Sequence, residues 1–292
     1  RPISYLVDRP SFDAELVNRA IKKGAVFHPA ERVIAIKNKD PIEIHTKKST
    51  YSCDYLIGAD GVHSLVAKSF DLIPDRKTSL AYEARLGLSK LTNEELSHSI
   101  TFDFGTIFWG YGWIFPKKGH LNVGVCRSWP MEKVGKKHLM RFINQHLTLR
   151  NCPIIDIRAF PVPLGGKSYK LDKGNLLLVG DAANLADPWL GEGLDYAMAS
   201  GRIAAETILE CIQGSASDLS GYSKRINQTI VKKFKYARRF SLLVNALPYI
   251  NTAILKASQT IQNMVIDLLR GDKSYQETWQ SLRTLFPRLL QK

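Results

Sequence analysis

The segment at residues 174–206 restricts the possible folds of this chain more than any other part of the sequence. It begins with GNLLLVGD, an almost unbroken apolar run that is typical of a strand covered on both faces. Gly191-Glu192-Gly193 follows after a short loop, and a helix rich in small residues is predicted from residue 192. One face of this predicted helix carries Leu194, Ala197, Met198, Gly201, Ala204, Ala205 and Ile208.

The ends of these two elements have the chemistry of a ligand site. A carboxylate such as Asp181 at a strand end can accept hydrogen bonds from a sugar-like chain of hydroxyl groups. Glycines at the start of a helix allow backbone N–H groups to approach an anion, and the helix dipole favours that contact. A plain turn would explain Gly180-Asp181 alone. The complete run favours a cofactor site.

This run resembles the second FAD-binding motif of the flavoprotein group that includes geranylgeranyl reductases and aromatic hydroxylases. The resemblance implies that Asp181 contacts the flavin ribityl chain and that Pro188 shapes the loop beside the flavin. It also implies that the start of the helix faces the isoalloxazine ring. The cofactor-binding residues predicted in this segment are Gly180, Asp181, Pro188, Gly191, Glu192, Gly193 and Leu194.

A second motif, CDYLIGADGVHS at residues 53–64, resembles the Asp-Gly motif of the same flavoproteins. The resemblance gives Asp60 and Gly61 a part in positioning FAD and any pyridine nucleotide. Ala67 stands where the family often has an arginine, and Lys68 lies next to it. A tight Asp-Gly turn is the alternative explanation for these two residues alone. Their order before the Gly-Asp run favours the flavoprotein interpretation.

A third motif, YGWIFP at residues 111–116, is similar to the YxWxFP block that separates geranylgeranyl reductases from the hydroxylases. Phe108 stands three residues before the tyrosine, where that family often has a proline. Long apolar substrates need apolar walls, although the core of a sheet explains any single aromatic residue as well. The substrate-binding residues predicted from the block are Tyr111, Trp113, Phe115 and Pro116.

The fold expected from these patterns is α/β (α+β): an FAD-binding doubly wound domain lacking its first βαβ unit, an inserted antiparallel-sheet substrate domain and a helical C-terminus. No GxGxxG loop follows a strand in this sequence, so the resemblance implies N-terminal truncation. The expected boundaries place the FAD-binding domain at residues 1–74 and 171–214, the substrate domain at 75–170 and the helical region at 215–292. Further breaks are expected at Pro248 and Gly271.

Local patterns predict the remaining elements. A helix is expected at residues 12–25 with Ser11 as its N-cap, followed by strands at 25–27, 33–36, 42–46 and 51–57. The substrate domain is expected to contain strands at 79–88, 98–104, 107–115, 121–126 and 154–163, with a helix at 132–145.

The chain is strongly basic, with 41 Lys and Arg against 27 Asp and Glu, for a net charge of +14. Residues 222–239 contain seven basic residues and no acid, and Lys232, Lys235 and Arg239 share one helical face. Three explanations are open: a solvated helix, an anionic membrane surface or a polyanionic ligand. No nucleic-acid-binding module accompanies the charge, so no nucleic-acid partner is expected. The longest uncharged stretch has 16 residues, 240–255, fewer than the ~20 of a membrane-spanning helix.

Four scattered cysteines without a CxxC pair exclude a zinc ribbon, an iron–sulfur cluster or a thioredoxin-type redox pair. They fit a reducing compartment, so the expected location is cytoplasmic, with peripheral membrane contact as a second hypothesis. The function expected from the resemblance is FAD-dependent reduction of carbon–carbon double bonds in a geranylgeranyl or related prenyl chain. NAD(P)H or a ferredoxin-like protein would be the electron donor. The alternatives are an aromatic-type monooxygenase, an electron-transfer flavoprotein that reduces a quinone, or an inactive fragment.

Overall fold

The two flavoprotein-like motifs each follow a short strand, and these two strands are parallel neighbours. In the computed structural model, which describes residues 2–88, 96, 99–127, 134–246 and 248–289, β4 (Leu56–Gly58) pairs with β11 (Leu176–Leu178) in register. β10 (Asp172–Lys173) lies antiparallel on the other side of β11. All three β11 leucines are fully buried, which confirms the predicted strand covered on both faces.

A five-stranded antiparallel sheet forms the middle of the chain, in the order β6-β7-β8-β5-β9. Helix α3 (Lys136–Gln145) covers one face of it through Phe142, which is fully buried. A Cβ atom at Gly112 would lie 2.3 Å from the Phe142 ring, so only glycine permits this contact. The strands are β5 (Thr78–Gly87), β6 (Thr101–Asp103), β7 (Gly110–Lys117), β8 (His120–Arg127) and β9 (Ile154–Pro163).

The N-terminal part contains helix α1 (Arg9–Lys22) and a separate three-stranded sheet of β1 (Val33–Lys37), β2 (Ile42–Thr46) and β3 (Thr50–Cys53). The expected helix start was wrong, because the Asp8 side chain accepts from the Ser11 N–H and caps the helix three residues earlier. Pro10 fits the first turn, where its missing N–H costs nothing.

Two strand predictions in this part need correction. Residues 25–27 form no strand, because they pair with no neighbour among the described residues, and Val26 is 80% exposed. The strand expected at 51–57 is two strands in different sheets, β3 and β4, since the chain leaves the small sheet after Cys53. Of the predicted elements in the substrate domain, residues 98, 132 and 133 lie outside the described residues.

Helix α4 (Leu194–Ile212) follows the Gly-Asp run and begins two residues later than predicted. Its covered side carries Ser200, Ala204 and Thr207, whereas Met198 and Ala205, expected on that side, are exposed. The expected face was therefore right for Ala204 and Ile208, which pack into the core, and wrong for Met198 and Ala205. The Ser200 hydroxyl accepts from the Gly180 N–H at 2.9 Å and helps to fix it.

The C-terminal region is helical, as predicted. Helix α5 (Gly221–Ile226) continues through a π-helical turn, Asn227–Val231, into α6 (Lys232–Ala246). The expected breaks are confirmed: α7 starts at Pro248, and Gly271 ends α8 with a left-handed φ of 73°. Within the described residues, none of the helices is both long and apolar enough to cross a membrane. The last three are α7 (Pro248–Ala257), α8 (Gln259–Arg270) and α9 (Tyr275–Leu289).

Candidate flavin and substrate site

The Asp-Gly and Gly-Asp loops lie at the same edge of the β4–β11 pair, because parallel strands bring their carboxyl ends together. Arg76 joins the two loops. Its Nη1 donates to the carbonyl oxygens of Val62 at 2.7 Å and Asp181 at 2.8 Å, and its Nη2 donates to that of Ala182 at 2.6 Å. The sequence prediction did not include this arginine.

Asp60 and Gly61 shape the first loop. The Asp60 carboxylate accepts from the backbone N–H groups of Leu65 at 2.6 Å and Val66 at 3.1 Å, at the start of α2 (Leu65–Ser69). Gly61 has a φ of 77°, which a residue with a side chain adopts only with strain. Asp60 therefore has a structural task here, and its expected role in positioning FAD stays a prediction.

Asp181 lies between the second loop and the start of α4. Partial burial raises the pKa of its carboxyl group, while Arg76 and Arg9 oppose that rise. The carboxylate accepts no hydrogen bond from the residues that the structure describes. A Cβ atom at Gly193 would lie 3.2 Å from Asp181 Oδ1, so the glycine leaves that oxygen accessible.

The loop at residues 187–191 is organised by Asp187, whose side chain is almost fully buried. Its Oδ1 accepts from the backbone N–H groups of Trp189 at 2.8 Å and Leu190 at 2.9 Å. The Tyr196 hydroxyl donates to Oδ2 of the same carboxylate at 3.5 Å. Burial raises the pKa of Asp187, and these hydrogen bonds oppose the rise. The sequence prediction missed Asp187, although an Asp before a Pro is a recognisable turn signal.

A cavity of about 750 Å³, called here the aromatic cavity, lies between the five-stranded sheet, α1 and the start of α4. Tyr111, Trp113 and Phe115 project into it from alternate positions of β7. Tyr111 also donates to the Leu190 carbonyl and thereby connects the sheet to the 187–191 loop. Burial raises the pKa of Tyr111, so its hydroxyl stays protonated. Gly191 and Glu192 line the same cavity.

Trp113 is held in place by a short polar chain. Its indole N–H donates to Asn122 Oδ1 at 2.7 Å, and the Asn122 amide donates to Glu83 at 3.0 Å. Gly124 lies under the indole ring, where a Cβ atom would be 2.0 Å from the ring. Pro116 alternates to the other face of β7 and does not line the cavity. The substrate-binding roles predicted for the block remain predictions.

A second cavity of about 340 Å³, the apolar cavity, lies between β6 and the C-terminal helices. It adjoins the aromatic cavity, because Leu190 lines both. Apart from Thr278, its lining consists of aromatic and aliphatic residues. The sequence prediction missed this cavity, since its walls come from segments more than 100 residues apart. Those walls include Phe102, Phe104, Trp189, Phe240, Val244, Ile261, Met264 and Leu282.

Glu192 brings to the aromatic cavity a carboxyl group with a raised pKa. The residue is accessible to solvent, but protein surrounds its carboxyl group, and Asp187 and Asp195 repel its charge. These effects raise its pKa from 4.5 to about 7. Glu192 therefore gains or loses a proton near neutral pH. The protonated form can donate a hydrogen bond to a ligand in the cavity.

This pKa predicts a pH-dependent stability. Between pH 4.5 and 7 the folded protein keeps a proton on Glu192 that the unfolded chain has released, so stability falls as pH rises through this range. Glu192→Gln removes that loss. We therefore expect the difference in melting temperature, variant minus unsubstituted protein, to be larger at pH 8.5 than at pH 5. Thermal unfolding of Glu206→Gln, an exposed change on α4, is the control. Parallel pH profiles for both variants would contradict the shifted pKa.

Comparisons with known proteins agree with this architecture, although no family model matches the chain. The chain is 32% identical to a digeranylgeranylglycerophospholipid reductase of Methanosphaera stadtmanae, over 79% of this chain and 61% of the relative. It is 30% identical to the chloroplastic geranylgeranyl diphosphate reductase of Arabidopsis thaliana, over 79% of this chain and 53% of the relative. The chain thus spans about three fifths of the length of the curated relatives it matches.

Solved structures show the same fold. A geranylgeranyl bacteriochlorophyll reductase-like protein of Thermoplasma acidophilum superimposes with a TM-score of 0.71 at 24% identity, over 81% of this chain and 63% of that chain. Other structures with this fold are flavin-dependent enzymes, one of them in a complex with FAD. The expected mixed α/β fold, with an antiparallel sheet and a helical C-terminus, is confirmed.

Proposed function

Because this chain belongs to the geranylgeranyl reductase family, we propose that it forms the flavin-facing and substrate-binding parts of an FAD-dependent reductase. The reaction would be reduction of carbon–carbon double bonds in a geranylgeranyl or related prenyl chain. One observation carries the proposal: the aromatic cavity and the apolar cavity meet at Leu190, beside the glycine-flanked start of α4. The aromatic cavity, lined by Gly191 and Glu192 just before α4, therefore adjoins a space suited to an isoprenoid chain.

The residues present fit the ribityl and ring portions of FAD. Asp181 offers a partly buried carboxylate that accepts no hydrogen bond from the described part of the chain, which suits the hydroxyl groups of a ribityl chain. Gly193 leaves the approach to that carboxylate open, and the N-terminal N–H groups of α4 can bind electron-rich atoms. FAD, when bound, supplies the hydride chemistry.

The protein supplies the position of the prenyl chain and an apolar surface for it. Trp113 and Tyr111 form a wall that the bonds to Asn122 and Leu190 hold in one orientation. The adjoining apolar cavity gives the rest of the chain a surface without competing polar groups. Glu192, which changes protonation near neutral pH, is the group in the aromatic cavity best suited to hold a proton for the substrate. NAD(P)H or a ferredoxin-like protein is proposed as the electron source.

The first test is an absorbance spectrum of the purified full-length protein, followed by anaerobic reduction and addition of geranylgeranyl diphosphate. Reoxidation of a bound flavin by this compound, and not by its fully saturated analogue, would support the reductase. Reoxidation only by oxygen would favour a monooxygenase, and only by a quinone an electron-transfer protein; either result would contradict the proposal. Absence of flavin would contradict the FAD assignment.

A variant separates substrate binding from flavin binding. Val265→Trp places a large ring in the apolar cavity, so we expect slower reoxidation by the prenyl compound with an unchanged flavin spectrum. Leu209→Trp is the matched control, because this leucine is 51% exposed on α4 and lines neither cavity. Equal rates for the two variants would show that the apolar cavity does not hold the chain.

Peripheral membrane contact is proposed for the basic face of α6. Lys232, Lys235 and Arg239 are exposed on this helix, in keeping with the face predicted from the sequence. We expect flotation with liposomes that contain anionic lipid, a loss of it at high salt, and weaker flotation of a Lys232→Gln/Lys235→Gln variant. Lys22→Gln/Lys23→Gln, an equal charge change on α1, is the control. Recovery in the soluble fraction with and without anionic lipid would rule out this contact.

A further inference from the structure

A third cavity, of about 280 Å³, lies across the 187–191 loop from the aromatic cavity. Pro188 lines it, whereas Leu190 and Gly191 line the aromatic cavity. The wall between the two cavities is thin: the Ser79 hydroxyl, in the third cavity, lies 3.7 Å from the Cys126 thiol in the aromatic cavity. We call this third space the basic cavity.

The charged side chains that line the basic cavity are all positive. Lys77, Lys167 and Arg238 line it, and no carboxylate is among its described lining residues. Asp75 pairs with Lys167 from outside the lining. Among the described residues, Lys77 and Arg238 pair with no carboxylate. Three cations that face one concave space repel each other, and an anion placed between them would relieve that repulsion.

Uncharged groups complete the lining. Gly166, with a φ of 104°, lies against Arg238: a Cβ atom there would be 2.7 Å from Arg238 Cδ, so a side chain would push the arginine away. Ser241 is buried to 8% exposure, and its hydroxyl accepts from Asn245 at 3.3 Å. The proton of the Ser241 hydroxyl is therefore free for a further acceptor.

We propose that the basic cavity binds a phosphate or diphosphate group through Lys77, Lys167 and Arg238. The guanidinium of Arg238 can hold two oxygens of one phosphate, and the two ammonium groups act as point charges on the others. A group with two or more negative charges matches three cations better than a single carboxylate does. The group belongs either to the headgroup of a lipid or to a free phosphate compound, so this site stands independently of the proposed reductase activity.

The test is calorimetric titration of the full-length protein with inorganic pyrophosphate in phosphate-free buffer. We expect saturable binding that weakens as NaCl is added. Arg238→Gln and Lys77→Gln should each weaken it about tenfold or more, as expected for loss of one charge-assisted hydrogen bond. Lys233→Gln removes an equal charge from an exposed position on the Arg238 helix, outside the lining, and should leave the affinity unchanged. Absence of saturable binding, or equal weakening in all three variants, would overturn the assignment.

Two further titrations distinguish the sources of the phosphate. If geranylgeranyl diphosphate displaces pyrophosphate and its own affinity falls in Arg238→Gln, while that of geranylgeraniol does not, the cavity holds a prenyl headgroup. If the variants weaken pyrophosphate but not geranylgeranyl diphosphate, the site serves a free phosphate compound. Both results support an anion site. None of these titrations needs flavin reduction, so failure of the reductase proposal leaves them interpretable.

Discussion

Arg76→Ala is expected to lower the free energy of unfolding by about 3 kcal/mol and to weaken flavin binding. The substitution leaves the carbonyl oxygens of Val62, Asp181 and Ala182 without the donors that now bind them at 2.6–2.8 Å. Hydrogen bonds to a charged group contribute roughly 1.5–3 kcal/mol each, and partial access of water to this side chain reduces the sum. The two motif loops would then separate more easily, and Asp181 would lose its fixed position.

Urea denaturation measures the stability, and flavin fluorescence measures the release of the cofactor. Lys68→Ala is the matched control, since it removes a positive charge from an exposed position near the same loop and should change the unfolding free energy by less than about 0.5 kcal/mol. Arg76→Lys should lie between the two, because an ammonium group on a shorter reach cannot serve three carbonyl groups in a fixed plane. If Arg76→Ala were as stable as the control, the loops would be held by other contacts.

The contacts of Arg76 could not be predicted from the sequence, whereas the two motif loops that it joins could. The Asp-Gly and Gly-Asp motifs were readable because each is a local pattern at a strand end, and the parallel pairing of β4 with β11 brings them together. Ala67 stands where the resembling family often has an arginine. Arg76 binds both motif loops instead, and its three partners lie 14, 105 and 106 residues away in the sequence. No spacing rule predicts such a contact, because it depends on how distant segments pack.

In α4, the face predicted from local sequence differs in part from the face that tertiary packing covers. Small residues predicted the covered face of α4, yet Met198 and Ala205 are exposed and Ser200 is buried. Ser200 is polar, but its hydroxyl satisfies the Gly180 N–H, so burial costs little. In contrast, the alternation of Tyr111, Trp113 and Phe115 along β7 follows from strand geometry alone, and the structure places all three on one face.

The apolar cavity and the basic cavity could not be derived from the sequence for the same reason. Each is assembled from the five-stranded sheet, the 187–191 loop and α6, which are distant in the chain. The sequence showed an excess of positive charge and an uncharged C-terminal stretch, but it could not assign either to a particular space. The structure assigns Arg238 to one side of α6 and Phe240 to another.

Asp187→Ala is expected to destabilise the protein by about 3–4 kcal/mol, because it removes one buried acceptor shared by three donors. The N–H groups of Trp189 and Leu190 would lose their partner inside the protein, as would the hydroxyl group of Tyr196. Since the 187–191 loop borders all three cavities, the same change should weaken binding of flavin, prenyl compound and pyrophosphate together.

Asp187→Asn provides the comparison. Asparagine keeps a carbonyl oxygen for the two backbone N–H groups, and its amide can donate to the Tyr196 hydroxyl oxygen, so we expect a loss of less than about 1.5 kcal/mol. Urea denaturation followed by tryptophan fluorescence reports on both stability and the packing of Trp189. Equal losses for Ala and Asn would mean that the negative charge matters more than the hydrogen bonds. A loss below about 1 kcal/mol for Ala would mean that Asp187 does not organise the loop, because three unsatisfied donors cannot cost so little in a buried site.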